Sequence, residues 1–307
     1  MTAILRKELA DYFTSIRFIV LFLLILFASA AGLRAASEGI RGANLPEGFV
    51  FLGLFTTSGA VIPSLTYLVG LIVPIIGIAL GFDAINSERT GGTLSRVLSQ
   101  PVFRDSVING KFLAGVFTLS VMVGTMLLFV SGYGLSMIGV PPNAEEVIRL
   151  FIYLFLTIIY GAFWMGLAIL FSVLFQRVAA SLLTALALWL FFSIFILLIA
   201  PSIANAIVPT ADASPVELVR NAELQQMITR FSPNILFQEA TTVLLLPLVR
   251  SLGMVTQSQV AYMIPNPLSL GQSILLIWPH ITSLVSLSAI CFAISYVLFM
   301  RQEIRAT

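Results

Sequence analysis

The segment VIPSLTYLVGLIVPIIGIALGF, residues 61–82, contains no charged side chain. About 20 consecutive apolar residues in a helix cross the hydrocarbon core of a bilayer. The 307-residue chain as a whole is 59% hydrophobic and 10% charged, whereas soluble domains carry about 25% charged residues. The apolar run is continuous rather than alternating, which favours a helix over the strand of a membrane barrel. The sequence therefore predicts an all-α polytopic membrane protein.

Five further apolar runs extend this interpretation to six transmembrane helices. In the even-numbered topology that results, both termini lie on one side of the membrane. More lysines and arginines fall in the segments on that side, which predicts that it is cytoplasmic. We expect a multi-pass protein of the inner (cytoplasmic) membrane. The predicted spans are Ile16–Gly32, Val61–Phe82, Phe112–Met137, Leu150–Phe175, Val178–Ala200 and Pro279–Met300.

The first residues of the chain have amphipathic spacing. Apolar side chains recur on one side of a helix from Leu5 to Ile16, and charged side chains occupy the other sides. Residues 1–15 are therefore predicted to form an interfacial helix that continues into the first span. The residues assigned to this helix surface are Leu5, Arg6, Lys7, Glu8 and Leu9.

A cleaved signal peptide is the alternative for this region. The run FIVLFLLILF is followed by the small residues ASA, which resembles a cleavage site. Against it, Glu8 and Asp11 precede the apolar run, and five more spans follow it. We therefore expect residues 16–307 to form one six-span membrane domain.

Residues 201–278 are predicted to form a small helical extracytoplasmic segment before the last span. Two stretches within it, SPVELVRNAELQQMITRF and SPNILFQEATTVLLLPLVR, each begin with Ser-Pro, which suits the first turn of a helix. The apolar part of the second stretch, residues 240–249, is too short to cross a bilayer. We expect these helices to lie against the spans.

The polar segment SERTGGTLSRVLSQP, residues 87–101, separates the second span from the third within residues 83–111. Gly91 and Gly92 permit a sharp turn, and Thr93 can cap a short helix that Pro101 ends. Leu94, Val97 and Leu98 share one side of that helix. An ordinary solvated loop with a surface helix is the alternative.

This hairpin and the RKELADYF start resemble the permease subunits of type-2 (ABC-2) exporters among the ABC transporters. The resemblance rests on Glu88-Arg89, Gly92-Thr93-Leu94, Leu98 to Pro101, Arg104 and Gly110-Lys111. Gly91 departs from the family pattern, where a charged or larger residue often stands. SPNILFQEATTVLLLP is also similar to the subgroup labelled as permeases for maturation of multi-copper enzymes.

The resemblance implies that the hairpin carries a coupling helix, which docks onto a separate ATPase subunit. It also implies two ATPase copies, a second permease chain in a homodimer or heterodimer, and membrane lipids as partners. The implied cargo is lipid-like, amphipathic, or a drug or peptide. The residues that it assigns to coupling are Glu88, Arg89, Gly92, Thr93, Leu94, Arg96, Val97, Leu98, Pro101 and Arg104.

No phosphate-binding motif of the type GxxxxGK[ST] occurs in the chain, since Phe112 follows Gly110-Lys111. We therefore expect a non-catalytic subunit without a cofactor of its own, and ATP and Mg on the ATPase partner. The lone His280 and lone Cys291 give no metal set, no disulfide and no catalytic set, and His280 is interpreted as a membrane-interface residue. The net charge of +2 gives no reason to expect nucleic acid.

A gradient-driven carrier or channel is the alternative from another functional class. Such proteins typically carry ionisable side chains inside the spans, and none is predicted here. The small-residue pairs Gly77-x-x-x-Gly81 and Ala162-x-x-x-Gly166 permit close helix approach. They fit either a dimer interface or packing within one subunit.

Overall fold

The computed structural model describes residues 2–42, 49–92, 103–210, 214–250, 252 and 267–302. All regular secondary structure in these ranges is helical. The prediction of an all-α protein with six membrane spans is confirmed. The stretches long and apolar enough to cross a membrane are Ile16–Ile40, Leu65–Thr90, Arg104–Ile138, Ala144–Leu174, Val178–Ile207 and Leu270–Arg301.

The helices are numbered here in chain order. A π-helical turn, Phe191–Phe195, joins α8 to α9, so that these two helices form one span. The bounds are α1 Thr2–Thr14, α2 Ile16–Gly42, α3 Gly53–Thr56, α4 Leu65–Gly81, α5 Asn86–Thr90, α6 Arg104–Ile138, α7 Ala144–Leu174, α8 Val178–Leu190, α9 Ile196–Ile207, α10 Pro215–Thr229, α11 Pro233–Leu245 and α12 Leu270–Arg301.

Several spans begin earlier than the hydropathy of the sequence indicates. The sixth begins at Leu270 rather than Pro279, because Ser269 and Gln272 form a capping box at its start. The fourth begins at Ala144 rather than Leu150, because Asn143 and Glu146 form a second capping box. Polar first turns thus extend the helices beyond the apolar runs that reveal them.

The core of the fold is the contact between α4 and α7, and small residues allow it. A Cβ atom added to Gly77 would lie 2.5 Å from the carbonyl oxygen of Gly161, and one added to Gly81 would lie 2.6 Å from that of Met165. Gly166 faces Cys291 and Phe292 of α12, where an added Cβ would lie at an ordinary contact distance. Both small-residue pairs therefore include glycines that pack within one subunit.

Burial varies widely among the six spans, with 33% of the residues buried in the most apolar window of the first and 50% in that of the third. In the most apolar windows of the second and fourth spans, 61% and 67% of the residues are buried, against 17% in the fifth and sixth. The second and fourth spans are therefore central. The fifth and sixth spans expose long apolar surfaces that lipid or another chain must cover.

The segment between the fifth and sixth spans contains the two predicted helices, α10 and α11, in different settings. Helix α10 is largely exposed, whereas α11 packs against α4, α7 and α12. Phe237 stacks on Tyr160 of α7 with ring centroids 4.3 Å apart. Helix α11 therefore inserts among the spans, although it is too short to cross a membrane itself.

Ionisable side chains also meet between α11 and α12, whereas the sequence predicts none inside the spans. His280 is buried inside α12, and its Nε2 lies 2.7 Å from Glu239 Oε2 of α11. Arg230 Nε donates to the same oxygen at 3.0 Å. The helix begins at Leu270 rather than beside His280, and the membrane-interface position of His280 stays a prediction.

Candidate functional site

The structure describes the two ends of the predicted coupling hairpin. Glu88, Arg89 and Gly92 lie at one end and Arg104 at the other. Gly92 has a φ of 66°, the left-handed conformation that glycine adopts without strain, in a turn that directly follows α5. The remaining predicted coupling residues lie outside the described residues, and these are Thr93, Leu94, Arg96, Val97, Leu98 and Pro101.

Helix α1 packs along the first turns of α6, close to the hairpin. The side chain of Ile4 contacts Gly110, where an added Cβ would lie 2.8 Å from Ile4 Cγ2. The hydroxyl of Tyr12 donates a 2.8 Å hydrogen bond to the carbonyl oxygen of Leu80 in the last turn of α4. Helix α1 is therefore attached to two spans as well as continuing into its own.

Glu8 is buried against these spans, although the sequence pattern places it on a charged outer face. Its buried partner is Lys111 of α6, whose Nζ lies 2.9 Å from Glu8 Oε1. The prediction for Glu8 is wrong because hydrophobic spacing in one helix does not reveal a cation supplied by another. Leu5 and Leu9 are half-buried, and Arg6 and Lys7 are exposed, as the pattern predicts.

Lys111 also binds the hairpin, because its Nζ lies 2.8 Å from Glu88 Oε1. Lys7 joins the same group at 3.0 Å from Glu8 Oε1 and 3.5 Å from Glu88 Oε1. We call Lys7, Glu8, Glu88 and Lys111 the Lys111 cluster. It connects three separate segments of the chain: α1, α5 and α6.

The Lys111 cluster compensates a buried cation with two carboxylates. Only 5% of the Lys111 side chain is exposed, and a buried charge is stable only when it is paired and hydrogen-bonded. Burial opposes the charged form of Lys7, but hydrogen bonds and charges from Glu8, Glu88 and Asp11 outweigh it and raise the pKa of Lys7 above its ordinary value. Removing either carboxylate would leave Lys111 less well compensated.

The hairpin is also attached to the last span, through Gln302. Arg89 donates a hydrogen bond to the side-chain oxygen of Gln302, and Arg104 donates one to its carbonyl oxygen at 3.1 Å. The amide of Gln302 in turn donates to the carbonyl oxygen of Val173 at 2.8 Å. Two predicted coupling arginines, one at each end of the hairpin, therefore meet on one residue.

The start of α5 is fixed to the end of α7. The hydroxyl oxygen of Ser172 accepts hydrogen bonds from the backbone N–H groups of Ile85 at 2.9 Å and Asn86 at 3.1 Å. Ser172 is fully buried. The hairpin base thus has fixed contacts with α1, α6, α7 and the end of α12.

Sequence reasoning missed two members of this site. Lys111 was noticed only as part of a family motif, and Gln302 was not noticed at all. The signal for Lys111 was its place at the head of an apolar run, beside small residues that let α1 approach. Gln302 carries no signal, because one polar residue after a span is common.

No metal centre accompanies the cluster in the part of the chain that the structure describes. There, no group of three or more His, Cys, Asp or Glu side chains is placed to hold a metal ion. The site is therefore an arrangement of ion pairs and hydrogen bonds that joins helices.

Comparison of the chain with known proteins identifies similar permeases. Two relatives are both described as probable ABC transporter permease protein NosY. The protein from Pseudomonas aeruginosa is 31% identical over 204 residues, which cover 62% of this chain and 65% of the relative. The one from Stutzerimonas stutzeri is 32% identical over 145 residues, which cover 44% and 48%. The matched regions span less than two thirds of either relative's length.

A family model covers far more of the chain than these relatives do. The model described as ABC-2 family transporter protein matches residues 2–304. The match includes α1, all six spans and the hairpin. The chain therefore belongs to the ABC-2 family of transporter proteins, as the hairpin motif and the six-span topology predict.

Proposed function

We propose that this chain is the non-catalytic, membrane-spanning subunit of an ATP-driven exporter, and that residues 83–111 receive the motion of a separate ATPase subunit. The observation that carries this proposal is the Lys111 cluster. It joins the base of the hairpin to α1 and α6 through a buried cation that two carboxylates share. A displacement of Glu88 therefore acts on both helices at once.

The other contacts of the hairpin give the motion further routes. Arg89 and Arg104 are hydrogen-bonded to Gln302 after the last span, and Ser172 connects the hairpin base to α7. Packed helices move as rigid bodies with small shifts at their contacts. A push on the hairpin would thus reach the spans that contact its base, while ATP and Mg stay on the partner subunit.

The proposed assembly contains two ATPase copies and a second permease chain, as a homodimer or a heterodimer. The sparse burial of the fifth and sixth spans supports a partner within the membrane, because their apolar faces need cover. We place the complex in the inner membrane with both termini and residues 83–111 in the cytoplasm, which the distribution of lysine and arginine supports.

The proposed cargo is lipid-like, amphipathic, or a drug or peptide, since the spans are almost uniformly apolar. A permease that serves the maturation of a multi-copper enzyme is the second candidate. It is supported by the SPNILFQEATTVLLLP segment and is compatible with the two NosY relatives. Membership of the ABC-2 family argues against a gradient-driven carrier or channel.

The decisive experiment measures ATP-driven motion at the far side of the protein. The chain is purified with its co-purifying ATPase in a Cys291→Ser background, and spin labels are placed at the exposed residues Val61 and Val216. We expect MgATP with vanadate to change the label distance. Glu88→Gln and Leu94→Ala should abolish that change while ATP hydrolysis continues, because the hairpin no longer transmits motion.

The matched control is Glu38→Gln, which removes an exposed carboxylate that pairs with Arg34 near the other end of the first span. It should leave the distance change intact. An unaltered distance change in both hairpin variants would refute the proposed role of the hairpin. ATPase activity in the purified chain alone would refute the assignment of hydrolysis to a partner.

A further inference from the structure

A cavity of about 400 Å³ with charged and apolar side chains in its wall lies beside the Lys111 cluster, between α1, the first turn of α2 and the end of α4. Basic and acidic side chains both line it, and the coupling role uses only some of them. Arg17 and Asp83 belong to the cavity but not to the cluster. Tyr12 and Ser15 add hydroxyl groups to its wall.

The position of the cavity relative to the spans defines its depth. Arg17 is the second residue of α2, and Asp83 lies two residues after Gly81, the last residue of α4. Because both residues stand at the ends of membrane-spanning helices, the cavity lies at the polar boundary of one leaflet. Phospholipid headgroups occupy that boundary.

Arg17 is placed to bind an anionic group. Its Nη1 donates to Asp83 Oδ2, and its guanidinium carbon lies 5.2 Å from the centre of the Phe82 ring. Its other N–H groups have no acceptor among the described residues, and 53% of the side chain is exposed. The Arg17 guanidinium is oriented by a carboxylate and an aromatic ring, and its remaining N–H donors can bind a phosphate.

Acidic oxygens lie next to this phosphate-binding group. Asp83 Oδ1 has no donor in the described part of the chain, and only 16% of the Asp83 side chain is exposed. Asp11 lines the same cavity from α1, where Lys7 approaches it at 3.2 Å. The pairing of an available guanidinium with an available carboxylate complements a zwitterion that carries both a phosphate and an ammonium group.

An apolar stripe runs from this cavity along the first span. It consists of exposed side chains spaced so that they share one side of α2. Ile16 belongs both to the stripe and to the cavity wall. A molecule with a zwitterionic head and apolar chains therefore matches both surfaces. The residues of the stripe are Ile16, Ile19, Val20, Leu23 and Phe27.

We propose that this cavity is a specific binding site for an aminophospholipid of the phosphatidylethanolamine type. Arg17 binds the phosphate, Asp83 accepts hydrogen bonds from the primary ammonium, and the stripe on α2 contacts an acyl chain. The proposal does not depend on the coupling role of the hairpin.

The test measures lipid retention by the full chain in detergent, with native mass spectrometry. Phosphatidylethanolamine, phosphatidylcholine and phosphatidylglycerol with identical acyl chains are added in turn. We expect phosphatidylethanolamine to bind about tenfold more tightly than phosphatidylcholine, because a quaternary ammonium cannot donate hydrogen bonds to Asp83. Asp83→Asn should remove that preference, whereas Arg17→Gln should weaken the retention of both lipids.

The matched control is Arg34→Gln near the opposite end of the same helix, where an exposed arginine also pairs with a carboxylate. It should leave the preference unchanged. If Asp83→Asn does not fold, the comparison of lipids on the unmodified chain still decides the question.

Three results would overturn the proposal. One is equal retention of phosphatidylethanolamine and phosphatidylcholine by the unmodified chain. Another is a preference for phosphatidylglycerol, which would identify a simple anion site. The third is efficient crosslinking between two copies of an Arg17→Cys variant without lipid retention, which would make a second chain the occupant of the cavity.

Discussion

Two buried cations stand near opposite ends of the helical bundle, and their partners differ in kind. Arg149 of α7 is fully buried. Its guanidinium donates to Glu145 Oε1 at 2.8 Å and to the carbonyl oxygens of Leu244 and Leu268 at 2.7 and 2.8 Å. A further bond reaches the hydroxyl of Ser273 at 3.1 Å. Lys111, by contrast, is shared by two carboxylates.

The different partners of Arg149 and Lys111 indicate different roles for the two ends of the bundle. Arg149 donates to one backbone carbonyl in α11 and to another just before α12, so that it fastens α7 to the end of α11 and the start of α12. The carboxylates of Glu8 and Glu88 belong to α1 and α5, and Lys7 also reaches both of them. The Lys111 cluster can therefore rearrange while its charges stay paired, which suits a joint.

Replacing Arg149 gives the largest expected effect. Arg149→Met leaves buried carbonyl oxygens without donors, and we expect the free energy of unfolding to fall by about 3 kcal/mol or more. Thermal unfolding in detergent, followed by tryptophan fluorescence, measures this. The control Arg34→Met removes an exposed arginine and should change little. Equal melting temperatures for the two variants would contradict a fastening role for Arg149.

Replacing Lys111 should separate stability from coupling. Lys111→Met is expected to cost about 1–3 kcal/mol, less than the loss of Arg149, because Lys7 still neutralises part of the paired carboxylates. ATP-driven motion, measured with the spin labels described above, should be lost. The triple variant Lys111→Met/Glu8→Gln/Glu88→Gln should regain most of the stability but not the motion. Recovery of both would show that the cluster is only structural.

Replacing Gln302 should weaken the attachment of the hairpin base by a smaller amount. Gln302→Ala removes the acceptor of Arg89 and should destabilise the protein by about 1 kcal/mol. Hydrogen–deuterium exchange should speed up in Asn86–Thr90 and stay unchanged in α11. The control Gln225→Ala removes a side-chain hydrogen bond in α10 and should leave exchange at the hairpin as it is. Faster exchange throughout both variants would point to general unfolding instead.

Lys7 should give the smallest effect, since solvent screens an exposed ion pair. Lys7→Gln is expected to cost about 1 kcal/mol or less, and still less in high salt. The raised pKa of Lys7 means that its contribution is complete below the ordinary lysine value and is lost as the pH rises through the folded value. The stability difference from the unmodified chain should therefore stay constant between about pH 6 and 9. A difference that declines within that range would contradict the raised pKa.

The number of spans could be read from the sequence, because each is a long continuous apolar run. Their starts could not, since Asn143 and Ser269 cap polar first turns that hydropathy does not register. The insertion of α11 among the spans was also missed. Its length indicated an outer helix, and only contacts with distant residues such as Tyr160 hold it inside.

The candidate site was predictable in its location rather than in its contacts. The family resemblance pointed to Glu88, Arg89 and Arg104, and the structure brings all three to the base of the hairpin. The burial of Glu8 and the convergence of two arginines on Gln302 depend on residues far apart in the chain. Local spacing carries no information about such pairs.

The π-helical turn at Phe191–Phe195 has a consequence for the tolerance of the fifth span to length changes. A π-helical turn holds one more residue than an α-helical turn. The extra carbonyl oxygen of Phe192 accepts a 2.7 Å bond from the hydroxyl of Ser232. Deleting one residue there would restore an α-helical turn and keep the following half of the span in nearly the same orientation, because the π-helical turn already absorbs the extra residue. That span can thus lose a residue while its outer half still presents the same face to the lipid, and the expected loss is the carbonyl that accepts from Ser232.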